Sequence, residues 1–507
     1  MKQTVRGLGA LAGLWLALLP AATASDGVET RFERPAALAP TVAFWTDVFA
    51  RYSRYQVVLH AMDHPSLVLS VLDFRDQVPE LRPEELRLRM IRAERKEKRR
   101  LDERLRAIRD AEGDETLDAE ARALKRTLDE HSPAVSAAAL IGRVRGQRGL
   151  REKTHEALER AASLLPYMEA RFRHHGLPLE LTRLPIVESS FDSAAYSKVG
   201  AAGLWQFIPS SARRYMQLDE AVDQRRDPWF STDAAARHLR DDYAALGDWP
   251  LAVTAYNYGR SGIARALKAV RGETLMDLIE RYDNPRFGFA SRNFYAEFLA
   301  AVDVVEAAAT HFPDLSPRTP VDFETVRVDA YVPYETLRRV AGVEPSLFRE
   351  LNPSFSEPVL KGQLHVAPDH VLRVPAGGAT AFHAAYSALA ADQRHERQRE
   401  YWRQHRVRRG DSLISIAKRY GTTARAVQRA NAIRDPHLIR IGQRLKIPPA
   451  DGSRGAVSRP AVHTVRSGQS LWTISRLYRV SLDALRDANG LDGTDLIRSG
   501  TRLKIPH

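Results

Sequence analysis

The sequence predicts a multidomain α+β protein, mainly helical in its first part and closing in small β-α-α-β modules. Three observations carry that expectation. The chain has 507 residues, too many for one hydrophobic core, and at ~150 residues per domain it divides into roughly three units or more. Apolar residues recur at helical spacing, as in Leu101, Leu105 and Ile108 and then Leu117, Ala121, Leu124 and Leu128. Near the C-terminus one pattern is written twice. His405-Arg-Val-Arg-Arg-Gly-Asp-Ser-Leu413 returns as His463-Thr-Val-Arg-Ser-Gly-Gln-Ser-Leu471, and Leu445-Lys-Ile-Pro448 as Leu503-Lys-Ile-Pro506, both at an offset of 58 residues.

Composition narrows the class further. With 44% hydrophobic and 27% charged residues, the chain is globular rather than disordered. It has no cysteine, which removes disulfides, thiolate nucleophiles, Cys-ligated zinc and iron–sulfur clusters. A net charge of +13 favours a polyanionic partner, and nucleic acid, anionic lipid and an acidic cell wall all qualify.

The elements follow in order. Residues 1–24 have the layout of a secretory signal peptide, with Lys2 and Arg6, an apolar stretch over 8–20, and an A-x-A pattern at Ala22, Thr23 and Ala24. An uncleaved anchor is the alternative. No later stretch holds 18 consecutive apolar residues. The mature chain is therefore expected to have no transmembrane helix and to be secreted to the outside of the cytoplasmic membrane, in the periplasm or cell wall, away from nucleic acid. Residues 25–150 read as a charged helical region, a hairpin turning at Gly113 and Asp114 with the basic run 95–100 on its solvated face. The helical pattern resumes at Leu158, Ala161, Leu165 and Met168 and stops at Gly176 and Pro178. It opens a unit expected over 151–315 that holds most of the aromatics.

The repeats occupy 403–449 and 461–507, joined by a linker over 450–460. Each reads as a strand, a helix capped by Ser412 or Ser470, a second helix ending at Asn431 or Asn489, and a closing strand. A degenerate third copy is expected over 320–377, where Gly342 and Asn352 keep the spacing of Gly421 and Asn431 and Leu372-Arg-Val-Pro375 closes the unit. A helical linker over 378–402 follows it. The repeats resemble LysM modules, and the resemblance implies binding to glycans built on N-acetylglucosamine, chiefly peptidoglycan or chitin. It also places the ligand groove at Gly410, Asp411, Ser412 and Leu413 with Asn431, and at Gly468, Gln469, Ser470 and Leu471 with Asn489.

One carboxylate stands out, Glu188 in Leu184-Pro-Ile-Val-Glu-Ser-Ser-Phe191. Burial disfavours the charged form, so apolar neighbours such as Ile186, Val187 and Phe191 lift its pKa from ~4.3 toward ~6 and make it a proton donor near neutrality. Breaking a glycosidic bond needs such a donor. A salt-bridged Glu at a helix end is the plainer alternative.

Glu188-Ser-Ser-Phe is followed by Ser197, by Gly200-Ala-Ala-Gly-Leu-Trp-Gln-Phe207, and by Ala255-Tyr-Asn-Tyr-Gly259. In that order these motifs resemble the lytic murein transglycosylases with a goose-lysozyme-like SLT domain, most closely the D-type membrane-bound subgroup with C-terminal LysM repeats. The resemblance implies a mainly α lysozyme-like catalytic domain that cleaves the MurNAc-GlcNAc β-1,4 bond with formation of 1,6-anhydroMurNAc, without a cofactor. It gives Glu188 the part of single acid/base. It sets Ser197, Gly203, Leu204, Trp205, Gln206, Tyr256 and Asn257 along the substrate. Trp205 either stacks on a sugar face or belongs to the core. The family's later Glu-Thr-x-x-Tyr motif is replaced by Ala290-Ser-Arg-Asn-Phe294-Tyr295, which leaves Tyr295 in doubt.

A retaining or inverting glycosidase needs two carboxyl groups. Only Asp192 competes for the second place, and it shares a face with Glu188 only if the helix continues. Metal ligation is not expected, since His155-Glu156-Ala-Leu-Glu159 lacks the second histidine of a zinc-protease helix and His174 and His175 point apart. The competing functions are a lysozyme-type muramidase hydrolysing the same bond and an inactive wall-binding scaffold.

Overall fold

The computed structural model describes residues 32–131, 135–399 and 401–448 except 434 and 437, and beyond these 462–465, 500–505 and single positions between. The expected signal peptide, the whole 450–460 linker, and Gly468, Gln469 and Ser470 lie outside the described residues.

The first region is not helical throughout. Helix α1 (Ala39–Ala50) is followed by strands β1 (Gln56–Ala61) and β2 (Val68–Asp73), the long helix α2 (Pro83–Asp110), α3 (Ala119–Glu130), α4 (Ala137–Leu140) and strand β3 (Val144–Arg148). The strands form an antiparallel sheet in the order β2-β1-β3. The central strand is buried on both faces. Val58 enters the main helical core, whereas Leu59 and Ala61 pack on the α2–α3 hairpin. A strand covered on both sides reads as a continuous apolar run without alternation, so it leaves no helical or amphipathic signature. The hairpin itself follows the stripe, with Leu101, Leu105, Leu117, Ala121, Leu124 and Leu128 all buried. The basic run lies on its outer face, where Lys98 pairs with Glu94 at 2.7 Å and Arg100 with Glu120.

The helical body consists of α5 (Arg151–His174), α6 (Leu184–Glu188), α7 (Pro209–Tyr215), α8 (Pro228–Leu246), α9 (Trp249–Tyr258), α10 (Arg260–Val270), α11 (Leu275–Arg281), α12 (Phe289–Glu306) and α13 (Ala308–His311). It does not begin at 151, because α1 packs along α12 and contributes Phe44, Trp45, Val48 and Phe49 to the same core. Trp45 Nε1 donates to Asn293 Oδ1 of α12 at 3.3 Å. Each such aromatic is worth about 1.5–3 kcal/mol of burial, so α1 belongs to the body that carries the site.

The third repeat shares the strand–helix–helix–strand order of the repeat at 403–448. Strands β4 (Phe323–Arg327) and β5 (Val371–Pro375) pair antiparallel around α14 (Tyr334–Ala341), α15 (Pro345–Leu351) and a short α16 (Glu357–Leu360). Gly342 ends α14 in the left-handed conformation at φ 64°, as Gly421 at φ 68° ends α18 (Leu413–Tyr420), a C-terminal geometry that glycine adopts without strain. The segment after it is less of a linker than expected. Helix α17 (Ala379–Ser387) buries Phe382 and Tyr386 in this module, and the Tyr386 hydroxyl donates to Asp329 Oδ1. The next module adds β6 (Arg403–Arg406), α19 (Ala424–Ala430) and β7 (Arg444–Ile447), and the last pairs β8 (Val462–Thr464) with β9 (Arg502–Lys504).

The third module is fastened to the helical body by a buried ion pair. Arg373 of β5 meets Asp227 at 2.8 Å, with side chains 4% and 0% exposed. Its guanidinium lies 4.4 Å from the Trp229 ring and 4.7 Å from Phe230, while Asp227 also caps α8 through the Trp229 and Phe230 amides. Removing one partner of such a pair strands a charge in the interior at a cost of about 3–5 kcal/mol. Arg373→Met is therefore expected to lower stability in chemical denaturation by about that amount, and the double variant Arg373→Met with Asp227→Asn to lose less.

Candidate active site

Glu188 is the last residue of α6, a five-residue helix opened by Pro185 in its first turn. The helix stops there because Ser190 and Phe191 both take left-handed backbone at φ 54° and 55°, costly for residues with a Cβ and held only by surrounding contacts. Phe191 is buried, and Arg160 donates to the Ser190 carbonyl at 2.8 Å. The break has two consequences. It leaves Glu188 at a helix end, recessed among protein atoms yet partly open to solvent. It also turns Asp192 out to an exposed position, so Asp192 does not share a face with Glu188.

Burial, and secondarily the charge of Glu297, push the Glu188 carboxyl up to about 8. Among the described residues no cation pairs with it. Glu297, on α12 where it packs against α6, is the second carboxylate that sequence reading missed. It lies two residues beyond Tyr295 in a run of buried side chains, and only its being charged in an otherwise apolar helix face signalled it.

The loop from Gly200 to Phe207 is built around Arg225, also unforeseen. This 4%-exposed guanidinium donates to the Gly200 carbonyl at 2.7 Å and the Phe207 carbonyl at 3.1 Å, and forks onto both oxygens of Asp223 at 2.8 Å. Gly203, at φ 79°, is required because a Cβ there would collide with the Arg225 carbonyl. Its close approach is to protein, not to a sugar. Ser197 Oγ accepts from the Ala201 amide at 2.9 Å and closes the same loop.

Two further expectations are corrected. Leu204 and Trp205 are both 0% exposed. The Trp205 indole stacks on Phe172 at 5.7 Å and 11° and donates to Thr232 Oγ1 at 3.0 Å, so neither side chain offers a face to a substrate. The exposed apolar groups at this loop are Tyr196 and Val199, 64% and 82% exposed. Tyr295 is buried and donates to the Glu33 carbonyl at 2.7 Å, outside the site.

Gln206 remains partly exposed, with Nε2 donating to the Gly203 carbonyl at 2.9 Å. The Tyr256 hydroxyl donates to the Trp205 carbonyl at 2.8 Å, not to Glu188. Burial first, then the charges of Glu188 and Asp242, raise its pKa well above the ordinary value. Behind Tyr256 stands His238, ring centroids 5.2 Å apart, which burial pushes down to about 4 and so keeps neutral. Asn257 is exposed and accepts from Ser291 Oγ of α12 at 2.8 Å.

In the repeats the expected groove residues divide. Gly410 and Ser412 are exposed, and Ser412 caps α18. Leu413 and Leu471 are core residues. The Asp411 carboxylate accepts from the Arg408 amide at 2.8 Å and from His405 Nε2 at 2.7 Å, which hold its pKa down. Asn431 spends its amide on the fold: Nδ2 donates to the Val427 and Lys446 carbonyls and Oδ1 accepts from the Lys446 amide. Asn489 does the same with Leu485 and Lys504, and Asn352 with Phe348 and Arg373. These asparagines tie the second helix to the closing strand in all three modules. Ile414, Leu438 and Ile441 remain 74%, 72% and 71% exposed on the first fully described repeat.

A short acid-bearing helix, a glycine loop and a tyrosine helix define an SLT-type transglycosylase domain carrying LysM modules. The sequence model of the transglycosylase SLT domain matches residues 167–276, and that of the LysM domain matches 405–448 and 463–506. Membrane-bound lytic murein transglycosylase D of Escherichia coli strain K12 is 30% identical over 356 residues, covering 67% of this chain and 76% of that protein. The chain belongs to the family of that lytic transglycosylase. A putative tributyltin chloride resistance protein of an Alteromonas species is 35% identical over 120 residues, 22% of this chain and 56% of its own length. The structure of an inactive mutant of lytic transglycosylase Slt from Pseudomonas aeruginosa is 20% identical with a TM-score of 0.23, covering 30% of this chain and 25% of that one.

The raised carboxyl has a stability consequence. The unfolded chain releases the Glu188 proton near its ordinary 4.5, whereas the fold keeps it to about 8, so ionisation works against the fold increasingly as pH rises through that window. Glu188→Gln is expected to raise the melting temperature at pH 8 by on the order of a few degrees and to change it little near pH 4.5. Thermal melts at both pH values check this.

Proposed function

We propose that the chain cleaves the β-1,4 bond between MurNAc and GlcNAc in peptidoglycan and releases 1,6-anhydroMurNAc ends, with Glu188 as the acid/base and the LysM modules holding the enzyme on the wall. The observation that supports this most is the setting of Glu188, a half-buried residue with no cation paired to it among the described residues, where burial pushes its carboxyl up to about 8.

A protonated acid can donate to the bridging oxygen as the sugar develops oxocarbenium character. The Glu188 anion so formed then takes the proton from the C6 hydroxyl, whose oxygen closes on C1. One bond breaks, one forms, the enzyme recovers its proton and no water is consumed. The substrate's N-acetyl group stabilises the cation in place of a protein carboxylate. The loop clamped by Arg225 supplies Gln206 and rigid backbone beside the bond, and Tyr256 fixes that loop through the Trp205 carbonyl. Asn257 and Ser197 complete the rim, and the exposed Tyr196 takes the sugar-stacking place that Trp205 cannot.

On the repeats, the exposed backbone at Gly410 and Ser412 with the apolar Ile414 forms the surface proposed to meet the glycan. The chain acts in the envelope or periplasm. Among the described residues no helix is long and apolar enough to cross a membrane.

Wild type and Glu188→Gln incubated with purified sacculi test the reaction. Mass spectrometry is expected to show products lighter by one water than hydrolytic muropeptides, and the variant to lose about 100-fold or more of the rate while still sedimenting with sacculi. Products with reducing ends would replace this reading by hydrolysis. A chain ending at residue 402 is expected to cleave soluble glycan fragments normally and to be retained on sacculi roughly 10-fold less or worse, as read by cosedimentation.

A further inference from the structure

Tyr334, Gly342 and Asn352 of the third module precede Leu413, Gly421 and Asn431 of the next repeat by one offset of 79 residues. At that offset Tyr331 and Pro333 stand where Gly410 and Ser412 stand, and Ser354 where Ile433 stands. Gly410 and Ser412 are exposed. In the third module the chain itself takes these places. Tyr331 exchanges two backbone hydrogen bonds with His395, each 2.9 Å. After the second helix, residues 220–223 of the helical body lie against 354–356 as an added strand. The Asp223 amide donates to the Ser354 carbonyl at 2.8 Å, Val222 is bridged to Phe355, and the Ser356 amide donates to the Ala221 carbonyl at 3.0 Å. The Ser356 hydroxyl donates to the Glu220 carbonyl at 2.6 Å. Main-chain bonds hold such a strand and a pocketed side chain fixes its register. Here that side chain is Val222, 1% exposed in a core shared with Tyr334 and Phe355.

The added strand leads straight to the acid. Both carboxylate oxygens of Asp223 accept from Arg225 at 2.8 Å, and Arg225 Nη1 donates to the Gly200 and Phe207 carbonyls at the two ends of the glycine loop. The Arg225 carbonyl occupies the space that a side chain at Gly203 would need. The middle of the loop is then tied to the residue after Glu188, because the Ser189 hydroxyl donates to the Leu204 carbonyl at 2.7 Å. We infer that the third module has exchanged a glycan-facing surface for the strand 220–223, and that through this strand Asp223 and Arg225 are positioning residues for the reaction. Neither contacts the sugar. They set the loop that carries Gln206 against the helix end that carries Glu188. The work requires an arginine, since a guanidinium offers five donors in a rigid fork whereas a lysine offers a single nitrogen.

The inference rests on Glu188 acting beside this loop, and its test separates the two. Ser356 has φ −76° and ψ 161°, a conformation that proline shares. S356P therefore removes both bonds to 220 and 221 and leaves the loop untouched. Full-length wild type, S356P, D223N and R225K are assayed on soluble glycan fragments well below their melting temperatures, and cosedimentation with sacculi reads wall binding. S356P and D223N are expected to lower kcat about 10-fold and R225K about 100-fold, with KM within about 2-fold of wild type. Retention on sacculi stays unchanged in all three. S356P lies outside the buried network and decides the matter if R225K does not fold. Lower melting temperatures with a wild-type kcat overturn the proposal, as does a rise in KM alone, which would make the loop a binding surface only. A chain ending at residue 402 keeps the third module, and its retention on sacculi at the full-length level would return that module to glycan binding. If Glu188→Gln kept the wild-type rate, the acid would be misassigned, and the kcat of S356P would still tell whether the third module sets the loop.

Discussion

A carboxyl group set among apolar atoms, with no cation beside it among the described residues, is the constraint from which the rest of this structure takes its meaning. Desolvation alone works against its anion, and a like charge on the adjoining helix adds to the effect. The proposed reaction nevertheless requires that water, and a sugar, reach the group. The fold meets both demands by ending α6 abruptly. The left-handed pair Ser190 and Phe191 turns the chain away within one residue, so the acid stands at a corner with protein behind it and solvent in front.

Much of this was legible in the sequence. Apolar neighbours around one glutamate, the two glycines at 200 and 203 and the Tyr256-Asn257 pair pointed to one locality, and the structure gathers them there. What escaped was whatever depends on partners distant in the chain. Trp205 in an apolar run reads identically whether its ring meets a sugar or Phe172. Glu297 sits in a helix whose neighbours are nearly all buried, and no local pattern tells that its carboxyl looks toward α6. Arg225 looked like any arginine before a helix until it was seen to hold two backbone carbonyls and the Asp223 carboxylate at once.

The same distinction runs through the fold. Helical stripes in α2 and α3 showed themselves because one face is wet. Strand β1 did not, because both of its faces are dry and alternation vanishes. The asparagine that recurs in each repeat was visible as a recurrence but not as a job. Its amide closes a hydrogen-bonded clamp between the second helix and the last strand, a requirement of the module whatever it binds. In the third module the two clamped residues, Asn352 and Arg373, are 21 positions apart instead of the 15 of Asn431 and Lys446, which is why that copy of the pattern is degenerate.

The hairpin at residues 219–223 belongs to two units at once. Its Val222 is part of the third module's core, and the Asp223 amide donates to the Ser354 carbonyl at 2.8 Å. The carboxylate of that same Asp223 grips Arg225, which in turn grips the glycine loop beside the acid. What looks like an appended repeat is thus a keystone: a fragment trimmed to the helical body alone would keep every residue of the acid's immediate surroundings and lose the abutment against which its loop is braced.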